Sequence, residues 1–86
     1  MDEHKLKDKK KAFIVKDGTT LQSVKDLYGH LAIISDEHFK HHVNEKKNDF
    51  AVWIEDVHGD KFIAAAVRRA RSKEEVRKAV FIALFN

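Results

Sequence analysis

Between Ser23 and Ser72 the chain carries a helix-start signal about once every dozen residues, and that rhythm constrains the fold more than any other feature. Ser23, Ser35, Asp49, Asp60 and Ser72 each stand just ahead of apolar residues at helical spacing. A side-chain oxygen at such a position accepts a hydrogen bond from a backbone N–H of the first turn, which otherwise has no partner. Ser23 with Asp26, and Ser72 with Glu75, have capping-box spacing, and the second is the better match because glutamate reaches farther than aspartate. Gly59 is a stop signal between two of the helices, and proline is absent throughout. Helices this short are marginal alone and need tertiary packing. The expected fold is therefore mainly α: a compact bundle of about five short helices. A short N-terminal extended segment or small hairpin precedes them, from Phe13-Ile14-Val15, the turn Asp17-Gly18 and Thr19-Thr20-Leu21.

The apolar residues fall into matching sets. Val24, Leu27, Tyr28 and Leu31 share a face of the first helix, and Phe39 and Val43 anchor the second. Phe50, Trp53, Ile54 and Val57 define the third, where Trp53 reads as core. The fourth, Lys61 to Arg69, is expected to turn Phe62, Ile63, Ala66 and Val67 inward. In the last, Val76, Val80, Ala83 and Leu84 form a stripe, and Phe81, Ile82 and Phe85 cover much of the remaining circumference. A helix apolar all round is normally buried all round. A domain of this size buries only about 60–65% of its unfolded surface, so one core can hardly enclose that helix. Self-association through Val80, Phe81, Ile82, Leu84 and Phe85 is the expectation, with a second copy or another protein as partner.

Residues 1–11 contain a single Leu6 among charged side chains and are expected to be a disordered basic tail, followed by one helical domain over residues 12–86. There is no cysteine, so disulfides and thiolate chemistry are excluded, and a cytoplasmic setting fits. No apolar run is long enough to span a bilayer, and no secretory signal opens the chain, so no membrane association is expected.

The net charge of +3 is mild, but its placement is uneven. Arg68, Arg69, Arg71, Lys73, Arg77 and Lys78 concentrate around one helix–helix turn. Two helices presenting cations there could straddle a phosphate backbone, which makes a nucleic-acid- or ribosome-associated protein the alternative function. Glu74 and Glu75 interrupt the cluster, and cations at the end of the fourth helix also favour its negative pole.

Six histidines invite a search for chemistry. His38 and His42, at i and i+4, share a helix face and are the metal-ligand candidates, with His41 beside them. No third ligand is assigned, and the run His-Phe-Lys-His-His lacks the glutamate of a zincin motif. The three glycines are too scattered to cradle a phosphate, and each serine that could be a nucleophile is better explained as a cap. Neither catalytic residues nor cofactors are expected; the reading is a non-enzymatic interaction or adaptor module. Asn44, placed to close one helix in a left-handed conformation, and Asn48 and Asp49, placed to start the next, have structural explanations of their own.

One stretch is more specific than the rest. The run His42-Val43-Asn44-Glu45-x-Lys47-Asn48-Asp49-Phe50-Ala51-x-Trp53-Ile54-x-Asp56-Val57-x-Gly59-Asp60 resembles the hallmark of an uncharacterised small prokaryotic domain family, mainly archaeal. Phe13, Asp17-Gly18, Leu21, Val24 and Leu27 before it, and Ser72-Lys73-Glu74-Glu75 after it, fit the same pattern. The resemblance covers most of residues 12–76. No activity is established for that family, which occurs as a small standalone domain or an appended module, and this implies an accessory or interaction role rather than catalysis. Lys61-Phe62-Ile63-Ala64 departs from the acidic-leucine-alanine opening that the family has at the fourth helix. The segment from Phe81 to Phe85 also lies outside the pattern, so a dimer built on it would be particular to this protein.

Overall fold

A computed structural model describes residues 12–85; the basic tail expected over residues 1–11 lies outside them. The order is β1 (Phe13–Ile14), β2 (Thr20–Leu21), α1 (Val24–His30), α2 (Asp36–His42), α3 (Asp49–His58), α4 (Lys61–Arg69) and α5 (Lys73–Phe85). The described chain is thus a mainly helical globule of five helices with a two-stranded hairpin at its start.

The N-terminal segment closes as an antiparallel hairpin, Phe13 opposite Leu21 and Ile14 opposite Thr20. Gly18 turns it at φ 95°, a conformation that side-chain-bearing residues rarely adopt. Asp17 accepts from Thr19 N at 2.9 Å and tightens the turn. Two such strands would not persist alone. They hold because Val15 and Leu21 enter the core and because the backbone of Lys16 is tied to α2, as described below.

Four of the five expected caps are in place. Ser23, Ser35, Asp60 and Ser72 accept from the backbone N–H groups of Asp26, His38, Ile63 and Glu75 at 2.9–3.1 Å. In α1 and α5 the carboxylates of Asp26 and Glu75 reach back one residue beyond the cap, to Gln22 N and Arg71 N. The fifth cap is shifted by one residue: Asn48, not Asp49, caps α3, accepting from Ala51 N at 3.0 Å. Asp49 is the first helical residue, and its carboxylate is engaged elsewhere. Gly59 ends α3 in the left-handed conformation that its position requires. Asn44 closes α2 differently from the sequence expectation. No non-glycine residue has positive φ among the described residues; Asn44 Nδ2 instead donates to Lys40 O at 3.0 Å while its Oδ1 accepts from Lys46 N.

The core gathers around α3. Phe50, Ala51, Trp53 and Ile54 are buried there, and the Phe13, Phe39 and His42 rings surround Phe50. Helices α3, α4 and α5 pack in sequence, and α1 covers α5. Two inward assignments for α4 do not hold. Its buried seam is Ile63, Ala64 and Val67, so Phe62 falls on nearly the opposite side and is 80% exposed, while Ala66 sits at the margin, half-buried. In α5, Val76 and Val80 are fully buried and Ala83 and Leu84 partly so. No helix among the described residues is long and apolar enough to cross a membrane.

Candidate functional site

Three places concentrate the side chains that sequence reasoning singled out: the α2–α3 joint, the groove beside it, and the outer face of α5.

At the joint, His42 is buried, and both of its ring nitrogens are committed. Nε2 accepts from Lys16 N at 2.9 Å, which leaves the proton on Nδ1, facing Asp49 Oδ2 at 3.0 Å. Lys47 Nζ donates to the same carboxylate oxygen at 3.1 Å. Burial pushes the Asp49 carboxyl upward, but the hydrogen bonds from His42 and Lys47 and the Lys47 charge outweigh it and hold the group below its ordinary value. The His–Asp pair has the outline of a catalytic dyad, but the Nε2 lone pair that would take a substrate proton accepts from a backbone amide.

The same bonds bear on the metal candidates. A cation shared by His38 and His42 would have to displace Lys16 N from Nε2 or the Asp49 contact from Nδ1, and no group of three His, Asp or Glu side chains poised for a metal occurs among the described residues. His41 stacks edge-on against His42 at 4.8 Å. Desolvation, with the neighbouring charges of Lys47 and Lys16, lowers the His41 pKa from its ordinary value. A second His–Asp pair, His30 Nε2 to Asp17 Oδ2 at 2.8 Å, ties α1 to the hairpin turn. Asn48 completes the joint: its Oδ1 caps α3 while its Nδ2 donates to Val67 O of α4 at 3.1 Å, so one side chain joins two helices.

The cationic cluster expected around the α4–α5 turn is divided. Arg68, Arg71 and Lys73 line an open groove of ≈ 780 Å³ whose opposite wall is α2 and the α2–α3 turn. Lys40, Lys46 and Lys47 join them there, a contribution from distant sequence that no local reading of the chain could supply. Asp36, Glu45 and Glu74 are the carboxylates of this lining. Lys73 is a strut: its Nζ donates to Ile34 O at 2.9 Å and pairs with Asp36 at 2.9 Å, and the Lys73 hydrogen bond and charge lower the Asp36 pKa. Arg68 pairs with Glu55 at 3.1 Å. Arg77 and Lys78 line a separate, smaller hollow with Tyr28, Glu74 and Phe81. There the Arg77 guanidinium lies 4.6 Å over the Tyr28 ring, a cation–π contact, with its Nε buried and unbonded. Arg69 is exposed and lines neither hollow.

On α5, the five residues expected to mediate self-association separate into two groups. Val80 belongs to the chain's own core and Leu84 is partly buried, so neither is open to a partner in the way Phe81, Ile82 and Phe85 are, at 46%, 49% and 58% exposure. These three follow one another around the outer side of the helix. Phe81 and Phe85 lie 4.9 Å apart and both meet Tyr28 of α1, at 5.8 and 5.9 Å, to form a surface aromatic cluster.

Compared with known proteins, the chain matches no family model, no curated protein and no solved structure.

Proposed function

We propose that this chain is a cytoplasmic, non-enzymatic interaction module that self-associates through the outer face of α5. The observation that carries the reading is the aromatic cluster of Tyr28, Phe81 and Phe85, extended by Ile82. Phe81, Ile82 and Phe85 keep large apolar side chains half in water on a helix whose inner stripe is already satisfied, beside the part-buried Tyr28 of α1. A second copy suits it because the patch is apolar at its centre and flanked by both signs of charge, Glu74 beside Arg77 and Lys78, so a two-fold contact can set ring on ring and opposite charges across the axis. The signature around His42 to Asp60 fits the same class of role, since the domain family that it resembles occurs as a small standalone domain or an appended module. Sedimentation velocity from low to high micromolar concentration tests the reading. Association that weakens in the Phe81→Ser, Phe85→Ser double variant is the expected result; a monomer at every concentration overturns it.

The alternative, nucleic-acid binding by Arg68, Arg69, Arg71, Lys73, Arg77 and Lys78, has less support. These residues are spread over separate surfaces, and three of them are engaged within the chain.

A further inference from the structure

We infer that the groove between α2, the α2–α3 turn and the α4–α5 turn receives an acidic, aliphatic segment of a partner protein. The inference rests on reading the chain as an interaction module and adds a second surface to it.

Six cations meet three carboxylates around the groove. Lys47, Arg68 and Lys73 are held in ion pairs, but the side chains of Lys40, Lys46 and Arg71 have no ion pair or side-chain hydrogen bond among the described residues. Lys46 and Arg71, with Lys40, whose charge also acts on Asp36, face one concavity and attract an anionic ligand.

The floor decides which kind. Val43 and Ala70 form its buried part, and Val52 stands 49% exposed within it. Aliphatic side chains offer a phosphodiester nothing, whereas Leu or Val residues of a peptide bury surface against them. Single-stranded bases would need an aromatic platform, and the one ring in the lining, Phe39, is buried beneath the surface. Glu45 and Glu74 on the rim oppose the evenly spaced charges of a nucleic-acid backbone, while a peptide can place its carboxylates to avoid them. The walls are also fixed in advance. The Lys73 strut to Ile34 O and Asp36 ties the start of α5 to α2, and the Asn48 bond to Val67 O ties the start of α3 to the end of α4. A preformed groove does not have to spend binding energy on ordering itself.

The test is a titration of the full ¹⁵N-labelled chain at physiological salt. One probe is a short acetylated peptide alternating Asp or Glu with Leu or Val; the other is an RNA hairpin. The expected result is amide shifts centred on Val43, Val52, Ala70 and Arg71 with the peptide, and binding weakened about tenfold by Lys40→Glu plus Arg71→Glu. Both residues are exposed, so an unchanged thermal melt serves to verify the fold. Val52→Ser weakens the peptide without touching charge, an effect that a phosphate site would not register. Shifts at these residues with RNA and none with peptide overturn the proposal in favour of a phosphate site; shifts with neither overturn it outright. Sedimentation of the same samples reads α5 independently. Groove shifts in a strict monomer would end only the self-association reading, and association without groove shifts would end only this one.

Discussion

The α2–α3 joint and the outer end of α5 handle side chains in opposite ways. At the joint, polar groups are drawn into the interior and each finds a partner: His42 has Lys16 N and Asp49, and Asn48 has Ala51 N and Val67 O. At the end of α5, large apolar groups are left in water although neighbouring residues of the same helix fill the core. Buried polar groups that are fully satisfied specify one arrangement of the chain. Exposed apolar groups beyond what the core can hold leave contact area for something else. That contrast separates what holds the fold from what is left open to a partner. The joint is the most distinctive part of the sequence, and its polar groups serve the fold; the end of α5, apolar around much of its circumference, carries the interaction proposal.

Substitutions can test whether the joint is as architectural as this comparison holds. Phe50 is its keystone, fully buried among Phe13, Phe39 and His42. Phe50→Ala is expected to cost about 4 kcal/mol, read by urea denaturation, a large part of the stability of a domain this small. Asn48→Ala comes next at about 2 kcal/mol, because it removes a helix cap and the bond to Val67 O together. Asn48→Asp should recover the cap alone and fall between the two proteins. His42→Phe separates ring packing from hydrogen bonding. It keeps an aromatic against Phe13 and Phe50 but orphans Lys16 N and leaves the Asp49 carboxylate with Lys47 alone, for an expected loss of about 2 kcal/mol. A neutral His42→Phe would mean that the polar network is incidental and would collapse the contrast with α5.

Much of this architecture was legible because it is local. A cap and the N–H group it serves are three residues apart, and so Ser23, Ser35, Asp60 and Ser72 could be read directly. Where two capping residues adjoin, local rules do not choose between them. Asn48 takes the cap because its amide can also reach Val67 O, and Asp49 is left to face His42; both choices are decided by partners distant in sequence or in the preceding helix. Phe62 was misread for a related reason. Helical periodicity groups it with Ile63 and Ala66, but the seam is set by how α4 lies between α3 and α5, which periodicity does not encode. The groove needed the most tertiary information, since Lys40, Lys46 and Lys47 come to Arg71 only through the packing of α2 beside the α4–α5 turn.

Phe81→Ser with Phe85→Ser probes the other side of the comparison. Both side chains are about half in water in the single chain, so the cost to folding should be small, within about 1 kcal/mol. The dissociation constant of self-association should rise at least about tenfold in the same variant. A large loss of stability would instead make these rings part of the core, and the end of α5 would then differ from the joint only in degree.

The smallest expected effect belongs to the hairpin turn, where a His–Asp pair recurs outside the joint. The hydrogen bond from Thr19 N, followed by those from the Thr19 side chain and His30, lowers the Asp17 pKa from 3.8 to about 2 against the opposing effect of burial. A carboxyl depressed in the folded state stabilises the fold fully above its unfolded pKa and loses that contribution as pH falls toward the folded value. Asp17 should therefore help the protein at pH 6 and give little by pH 2. The side-chain amide introduced by Asp17→Asn keeps an oxygen that can accept from Thr19 N, so the substitution isolates the charge. The melting temperatures of the two proteins should differ modestly at pH 6 and converge as the pH drops through the window between about 4 and 2. The Asp49 pKa is lowered as well, so Asp49→Asn should converge with the parent on acidification in the same direction. A gap for Asp17→Asn that persists unchanged to pH 2 would show that the turn depends on shape rather than charge. The joint would then be the one place where a His–Asp pair contributes through its ionisation.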